Sequence, residues 1–270
     1  MARGRPGPTT YPAVNAMLAT LVSDVRHSLG RRLVGVYLIG SALTEDFDVD
    51  ISDLDLVAVL SDEPDLEDLP ALDAIHHRFV ERHHGWAGRL EVVYVSGSTL
   101  RSPGSDRGQL AVISPGEPLN LQPADSLWLL RWYLVRETGV ALHGPSPDTV
   151  VPPISRREFV DAVTEHARHF PAWIEPGRPG SMVSHGTLGR RGQAYAILTM
   201  CRALYACRTG DPTTKRHAAL WAQEQLPGWS TLIGDALRWR RDPDDSDGTA
   251  TFSRTQAFVT YVADLTASLT

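Results

Sequence analysis

The chain has 270 residues, 42% hydrophobic and 21% charged, the make-up of a globular protein with room for one large or two ordinary domains. A net charge of −6 gives no general attraction for nucleic acid, though acid gathered in a cleft would suit a cationic small partner, and no apolar run approaches the length of a membrane span. Two cysteines six apart in one helical stretch, Cys201 and Cys207, exclude a disulfide framework, and the opening MARGRPGPTTYP has no apolar leader core, so a cytoplasmic protein is expected.

Residues 1–10, rich in Gly, Pro and Arg, read as a flexible arm. From Pro12, the apolar positions Val14, Met17, Leu18, Leu21, Val22 and Val25 keep helical spacing up to a stop at Gly30. LVGVYLI (33–39) and LDLVAVL (54–60) are β-type runs, and a helix through about His84 separates the second from a third, LEVVYV (90–95). A helix near 123–137 and a short VALHG (140–144) close a domain over 11–150, an α/β unit with a small mixed sheet. GPSPDTVVPPIS (144–155) carries four prolines and reads as a linker. Beyond it, stretches near 156–173, 189–208, 214–226, 229–240 and 253–269 have helical periodicity, which predicts an all-α helical bundle over 151–270.

Within the strand-like run 54–60, the acids at its start stand out. On a strand, residues i and i+2 share a face about 6.6–7 Å apart, so Asp53 and Asp55 would project together while Leu54 and Leu56 face the core. Two carboxylates at that distance repel by roughly 2–3 kcal/mol at an effective dielectric near 20, so a counter-charge is expected. Mg²⁺ takes carboxylate oxygens, and a pair of such ions can stabilise the attacking and leaving oxygens of a phosphoryl or nucleotidyl transfer. Glu91, the one acid of RLEVVYV, would enter a neighbouring strand at the matching end, as a third metal ligand or as a general base. Upstream, Gly40-Ser41 ends the first strand and opens a short helix, where glycine permits close backbone approach and exposed N–H groups with a hydroxyl can hold phosphate; Ser52 offers a second hydroxyl. The alternative is that the aspartates decorate a solvated strand edge and Gly40-Ser41 is only a turn. Strand, Gly-Ser, short helix, Asp-x-Asp strand and acid-bearing strand in succession favour the site.

Gly40-Ser41, followed after eleven residues by Asp53-Leu54-Asp55-Leu56, resembles the signature of the DNA polymerase beta-like nucleotidyltransferase superfamily. GVALHGPSPDTVVPPISRREFVDAV and LTMCRALYACRTGDPTTKRHAALWAQEQLP extend the likeness to bacterial aminoglycoside adenylyltransferases acting on streptomycin and spectinomycin, over nearly the whole chain after the arm. The resemblance implies an enzyme that moves AMP from ATP to a hydroxyl of a small acceptor, with two Mg²⁺ ions. It implies Gly40, Ser41, Ser52, Asp53 and Asp55 around metal and triphosphate and Glu91 as base. From the helical half it implies Arg202 and Lys215, thirteen residues apart, on the phosphates across a cleft between the domains. The uneven charge without aromatic-basic interleaving speaks against a nucleic-acid partner, the lack of a long apolar run against a membrane one, and a monomer is expected.

The chain departs from that family in two places. The tyrosine that touches the nucleotide has no clear counterpart; LRWRRD offers Trp239, Arg240 or Arg241. Family members that bind streptomycin use a tryptophan and acidic residues just before the Arg-bearing helix. Trp173 stands in for the aromatic and His185 is a further acceptor contact, yet SMVSHGTLGRRGQAY (181–195) has no Asp or Glu, so it suits a guanidinium-bearing sugar poorly. A rival reading is a nucleotidyltransferase that modifies a partner protein, as in some toxin–antitoxin pairs.

HHRFVERHH pairs His76 and His77 with His83 and His84 at a spacing of seven; lacking Cys or acidic partners it reads as a solvated face rather than a metal site. Trp128, Trp132, Trp221, Trp229 and Trp239 read as packing residues.

Overall fold

The computed structural model describes residues 7–102, 108–115, 117–183, 188–242 and 248–269. The chain divides into two compact units, Met1–Ile154 and Ser155–Thr270.

In the first unit α1 (Pro12–Leu29) leads into β1 (Leu33–Ile39), a 3₁₀ turn (Gly40–Leu43) and β2 (Leu54–Leu60). α2 (Leu69–Arg82), β3 (Leu90–Ser96) and α3 (Gly97–Arg101) follow, then β4 (Gln109–Ser114), β5 (Glu117–Pro123), α4 (Leu129–Thr138), β6 (Val140–His143) and α5 (Pro147–Val150). The six strands form one sheet in the order β5-β4-β3-β2-β1-β6. Only β2 and β3 run parallel among these pairs, and the intervening α2 makes the crossover such a pair needs. Central strands covered on both faces read as continuous apolar runs, which is why LDLVAVL and LEVVYV show no alternation.

One face of the sheet, with Val36, Leu38, Leu54, Leu56, Ala58, Leu90, Val92 and Tyr94, packs against the apolar sides of α1 and α2. Asp55 and Glu91, alternating with these positions, belong to the opposite face. The predicted arm is anchored from residue 9 onward: Thr9 is buried and hydrogen-bonded to Asn15, and the Tyr11 hydroxyl donates to the Phe47 carbonyl. β4 and β5 are strands that periodicity did not indicate, and the helix expected from 123 begins at Leu129. β5, EPLNLQP, is a polar edge strand with a proline near each end, a place in a sheet where proline is tolerated.

The second unit contains α6 (Arg156–Trp173), α7 (Arg190–Thr209), α8 (Lys215–Gln225), α9 (Ser230–Arg241) and α10 (Thr249–Ala267), within a few residues of the expected stretches. Ser155 opens α6 with a reciprocal capping box to Glu158, and Thr214 caps α8 through the His217 amide. α7 lies at the centre, packed on α6, α8, α9 and α10, and this explains its run of buried small and apolar residues from Ala194 to Ala206. No described helix is long and apolar enough to cross a membrane. Both cysteines are free thiols.

Candidate active site

The strand register fixes where the acids meet. Asp55 is the cross-strand partner of Glu91 on parallel β3 and of Ile39 at the end of antiparallel β1, so the residue after Ile39, Gly40, turns back against the aspartate. Gly40 has φ +76°, and a Cβ built on it would lie 2.3 Å from Asp55 Oδ2; only glycine allows this approach. Asp53 lies just before β2, and both aspartates raise the pKa of Glu91 electrostatically, so the three carboxylates share one locality.

Burial is the largest influence on Glu91, pushing its pKa up; Arg131 opposes it, and Asp55 and then Asp53 add to the rise. Arg131, in the first turn of α4, is ion-paired through Nη2 to Glu91 Oε1, and about a fifth of each side chain is exposed. Its guanidinium also stands 5.6 Å from the centre of the Trp128 ring. The expectation of Glu91 as a third metal ligand therefore meets a competing cation. Among the described residues no group of three or more His, Cys, Asp or Glu side chains is placed to hold a metal ion. Mg²⁺ does not need such a cage, because it is held by one or two carboxylates, waters and substrate phosphates. Asp53 and Asp55 supply oxygen donors of that kind, beside a glycine whose missing Cβ leaves room at the Asp55 carboxylate, and so these residues fit a Mg²⁺ ion.

Ser52 is buried, and its Oγ accepts the Asp48 amide at 3.0 Å, closing the turn that delivers Asp53. Arg89 ties the same turn to the start of β3: Nη2 donates to the Val49 carbonyl at 2.8 Å, Nε to the Ser52 carbonyl at 3.2 Å and Nη1 to the Gly85 carbonyl at 3.2 Å, with the guanidinium 4.3 Å from the Trp86 ring centre. Arg89→Ala should lower kcat about tenfold and stability by about 1–3 kcal/mol, since two loop carbonyls lose a charged donor. A thermal melt and steady-state rates at wild-type values would contradict this. Ser41, in the 3₁₀ turn, receives Thr44 on its carbonyl.

Arg202 and Lys215 lie in the helical unit around one aromatic cluster. Trp173, the last residue of α6, has its ring centre 4.9 Å from that of His166 and 5.5 Å from that of Phe170, which is in turn 6.1 Å from Tyr195. Lys215 Nζ is 5.4 Å from the Tyr195 ring centre. Burial, with Arg202 and then His169 adding, brings His166 down to about 4, so it is neutral at physiological pH. The structure thus gathers Trp173, Arg202 and Lys215 around His166, Phe170 and Tyr195. Sequence reasoning missed Tyr195 and His166, although Tyr195 stands seven residues, two helical turns, before Arg202 and His166 the same distance before Trp173.

Other expectations change. Trp239 is buried in the bundle, where Arg190 approaches its ring, so it is not an open platform for a nucleotide base. His185 lies outside the described residues. His76 is not on a solvated face: it is buried against Tyr94, whose hydroxyl pairs with Nε2 at 3.1 Å, and burial, with His77 adding, lowers its pKa to about 4. His77 is exposed as expected, with Nδ1 3.2 Å from an Asp73 carboxylate oxygen.

The first unit thus sets an Asp-x-Asp strand beside a glutamate strand in a six-stranded mixed sheet, and a helical unit follows it in the chain. Residues 149–264 match the family model described as aminoglycoside adenylyltransferase, C-terminal domain. The fold over 93% of this chain is similar to 98% of a spectinomycin adenyltransferase, AAD(9), from Enterococcus faecialis, whose crystal structure holds ATP and spectinomycin, with TM-score 0.73 and 14% sequence identity. No curated protein matches the sequence.

Proposed function

We propose that the protein transfers AMP from ATP to a hydroxyl of an aminoglycoside-type antibiotic, with spectinomycin the leading acceptor. The observation that carries the reading is the in-register pair Asp55–Glu91 with Gly40 against the Asp55 carboxylate, in a chain whose helical domain is of the adenylyltransferase family. The family match supports a small acceptor over a protein one. The solved adenyltransferase of similar fold, with ATP and spectinomycin bound, supports the nucleotide and the acceptor class.

In this reading Asp53 and Asp55 hold Mg²⁺, which when bound supplies charge stabilisation for the triphosphate. Gly40 and Ser41 let the nucleotide phosphates approach the β1 end, and Ser52 holds the turn before the acid pair. Arg202 and Lys215 supply positive charge to the phosphates. Glu91 takes the proton of the acceptor hydroxyl, whose oxygen forms the new bond to the α-phosphorus; the bond from the α-phosphorus to the bridging oxygen breaks, and pyrophosphate leaves. Trp173 and its neighbours offer an apolar surface to the acceptor. Since residues 181–195 contain no Asp or Glu, a streptomycin-type guanidinium finds no counter-charge there, and spectinomycin suits the segment better.

Incubation with ATP and Mg²⁺ against a panel of aminoglycosides should release pyrophosphate and give a product heavier by one adenylyl group with spectinomycin, with little or none for streptomycin. No product with any acceptor would overturn the proposal. Lys215→Ala should weaken ATP binding about tenfold, ~1.4 kcal/mol, and leave the fold intact; wild-type affinity by calorimetry would remove Lys215 from the phosphate site.

A further inference from the structure

We propose that Arg131 is the positioning residue for Glu91, fixing one carboxylate oxygen so that the other is presented to the acceptor hydroxyl. This rests on the reading of Glu91 as proton acceptor. Three observations carry it. First, the contact is monodentate: Arg131 reaches Glu91 through Nη2 to Oε1, and among the described residues Oε2 receives no hydrogen bond. Second, Arg131 Nη1 is buried and has no hydrogen-bond partner in the structure. A planar guanidinium commonly grips a carboxylate with two nitrogens, which would occupy both oxygens and satisfy both donors. Here the second grip is not made, which leaves a carboxylate oxygen for the reaction.

Third, the helix that carries Arg131 is fixed. The Asp125 side chain accepts the Leu127 amide at 3.0 Å ahead of α4, and Leu129, Trp132 and Val135 are buried, so the backbone beneath Arg131 has little freedom. The stacked Trp128 and Trp132 rings, 6.0 Å apart, stand on either side of it in sequence, and the Trp128 ring lies 5.6 Å from the guanidinium carbon. A half-buried ion pair is weak support for stability, because apolar side chains of similar size would often do as well. Its consequence here is orientation: one oxygen of Glu91 is pinned beside Asp55, and rotation of the carboxylate is restricted.

The test uses the full chain with ATP, Mg²⁺ and spectinomycin, in wild type, Arg131→Met, Arg131→Lys, Glu91→Gln and the Arg131→Met/Glu91→Gln double variant. Arg131→Met should lower kcat by about 30–100-fold, the range expected when a reacting group is misplaced by about an ångström, with ATP affinity by calorimetry within about twofold of wild type. Arg131→Lys keeps a cation but not the planar fork, so it should recover part of the loss and remain several-fold below wild type. On the residual turnover of Glu91→Gln, adding Arg131→Met should change little, because the two residues act as one unit.

Wild-type kcat in Arg131→Met, or the same fold-loss from Arg131→Met whether or not Glu91 is present, would overturn the proposal. Should Arg131→Met fail to fold in a thermal melt, Arg131→Lys decides: wild-type kcat there sinks the orientation argument. A fully active Glu91→Gln would instead overturn the reading of Glu91 on which the proposal rests, and no product from wild type with any acceptor would overturn the function itself.

Discussion

Asp55→Asn is expected to lower kcat by about three orders of magnitude, ~4 kcal/mol of transition-state stabilisation, while the protein folds as well as wild type or slightly better. The two halves of that expectation have one cause. Asp55 stands in register beside Glu91, strands about 4.8 Å apart, on a face where burial and the neighbouring aspartates already raise the Glu91 pKa. Two negative charges so placed oppose folding and favour a cation. Asparagine keeps the shape and removes the charge, so repulsion falls and the capacity to hold Mg²⁺ falls with it. Such a site gives up stability for function, and a variant that relaxes it gains one at the expense of the other. Pyrophosphate release and a thermal melt measure the two halves separately; a turnover near wild type would remove Asp55 from the chemistry, and a large drop in melting temperature would show a structural role instead. Asp53→Asn should give the same loss of turnover.

The acid pair was legible in the sequence because it breaks a pattern: β2 and β3 are apolar from end to end, and a charge at the start of either needs a reason. Gly40-Ser41 was legible through its distance from that pair. β5 was not, since its apolar alternation is confined to Leu119 and Leu121, between two prolines on an edge strand. His76 was misread because the period that groups it with His83 ignores depth; the residue faces the Tyr94 side of the sheet, which only the fold determines. Arg131 left no signal at all. It is forty residues from Glu91, on a helix whose packing against β1 and α5 periodicity does not specify. The helical unit was legible as helices, yet the convergence of Trp173, Tyr195 and Lys215 depends on how α6, α7 and α8 pack, which periodicity does not specify.

Gly40→Ala is expected to reduce kcat by about 100-fold, because the reacting groups shift by a fraction of an ångström or more. Two effects act together. At φ +76° an alanine costs about 1–2 kcal/mol of backbone strain. Its Cβ would also lie 2.3 Å from Asp55 Oδ2 and 3.1 Å from the carboxyl carbon, distances the aspartate relieves only by turning away from the position that suits a metal. Gly88 separates strain from contact, for it has φ +66° and no heavy atom within 4 Å of a built Cβ. Gly88→Ala should therefore lose about the same 1–2 kcal/mol in a denaturant melt and keep its turnover. If the two variants lose stability alike and turnover alike, the close packing of Gly40 on Asp55 plays no part in the reaction. If only Gly40→Ala loses turnover, the glycine after β1 serves to keep the aspartate where a Mg²⁺-nucleotide requires it.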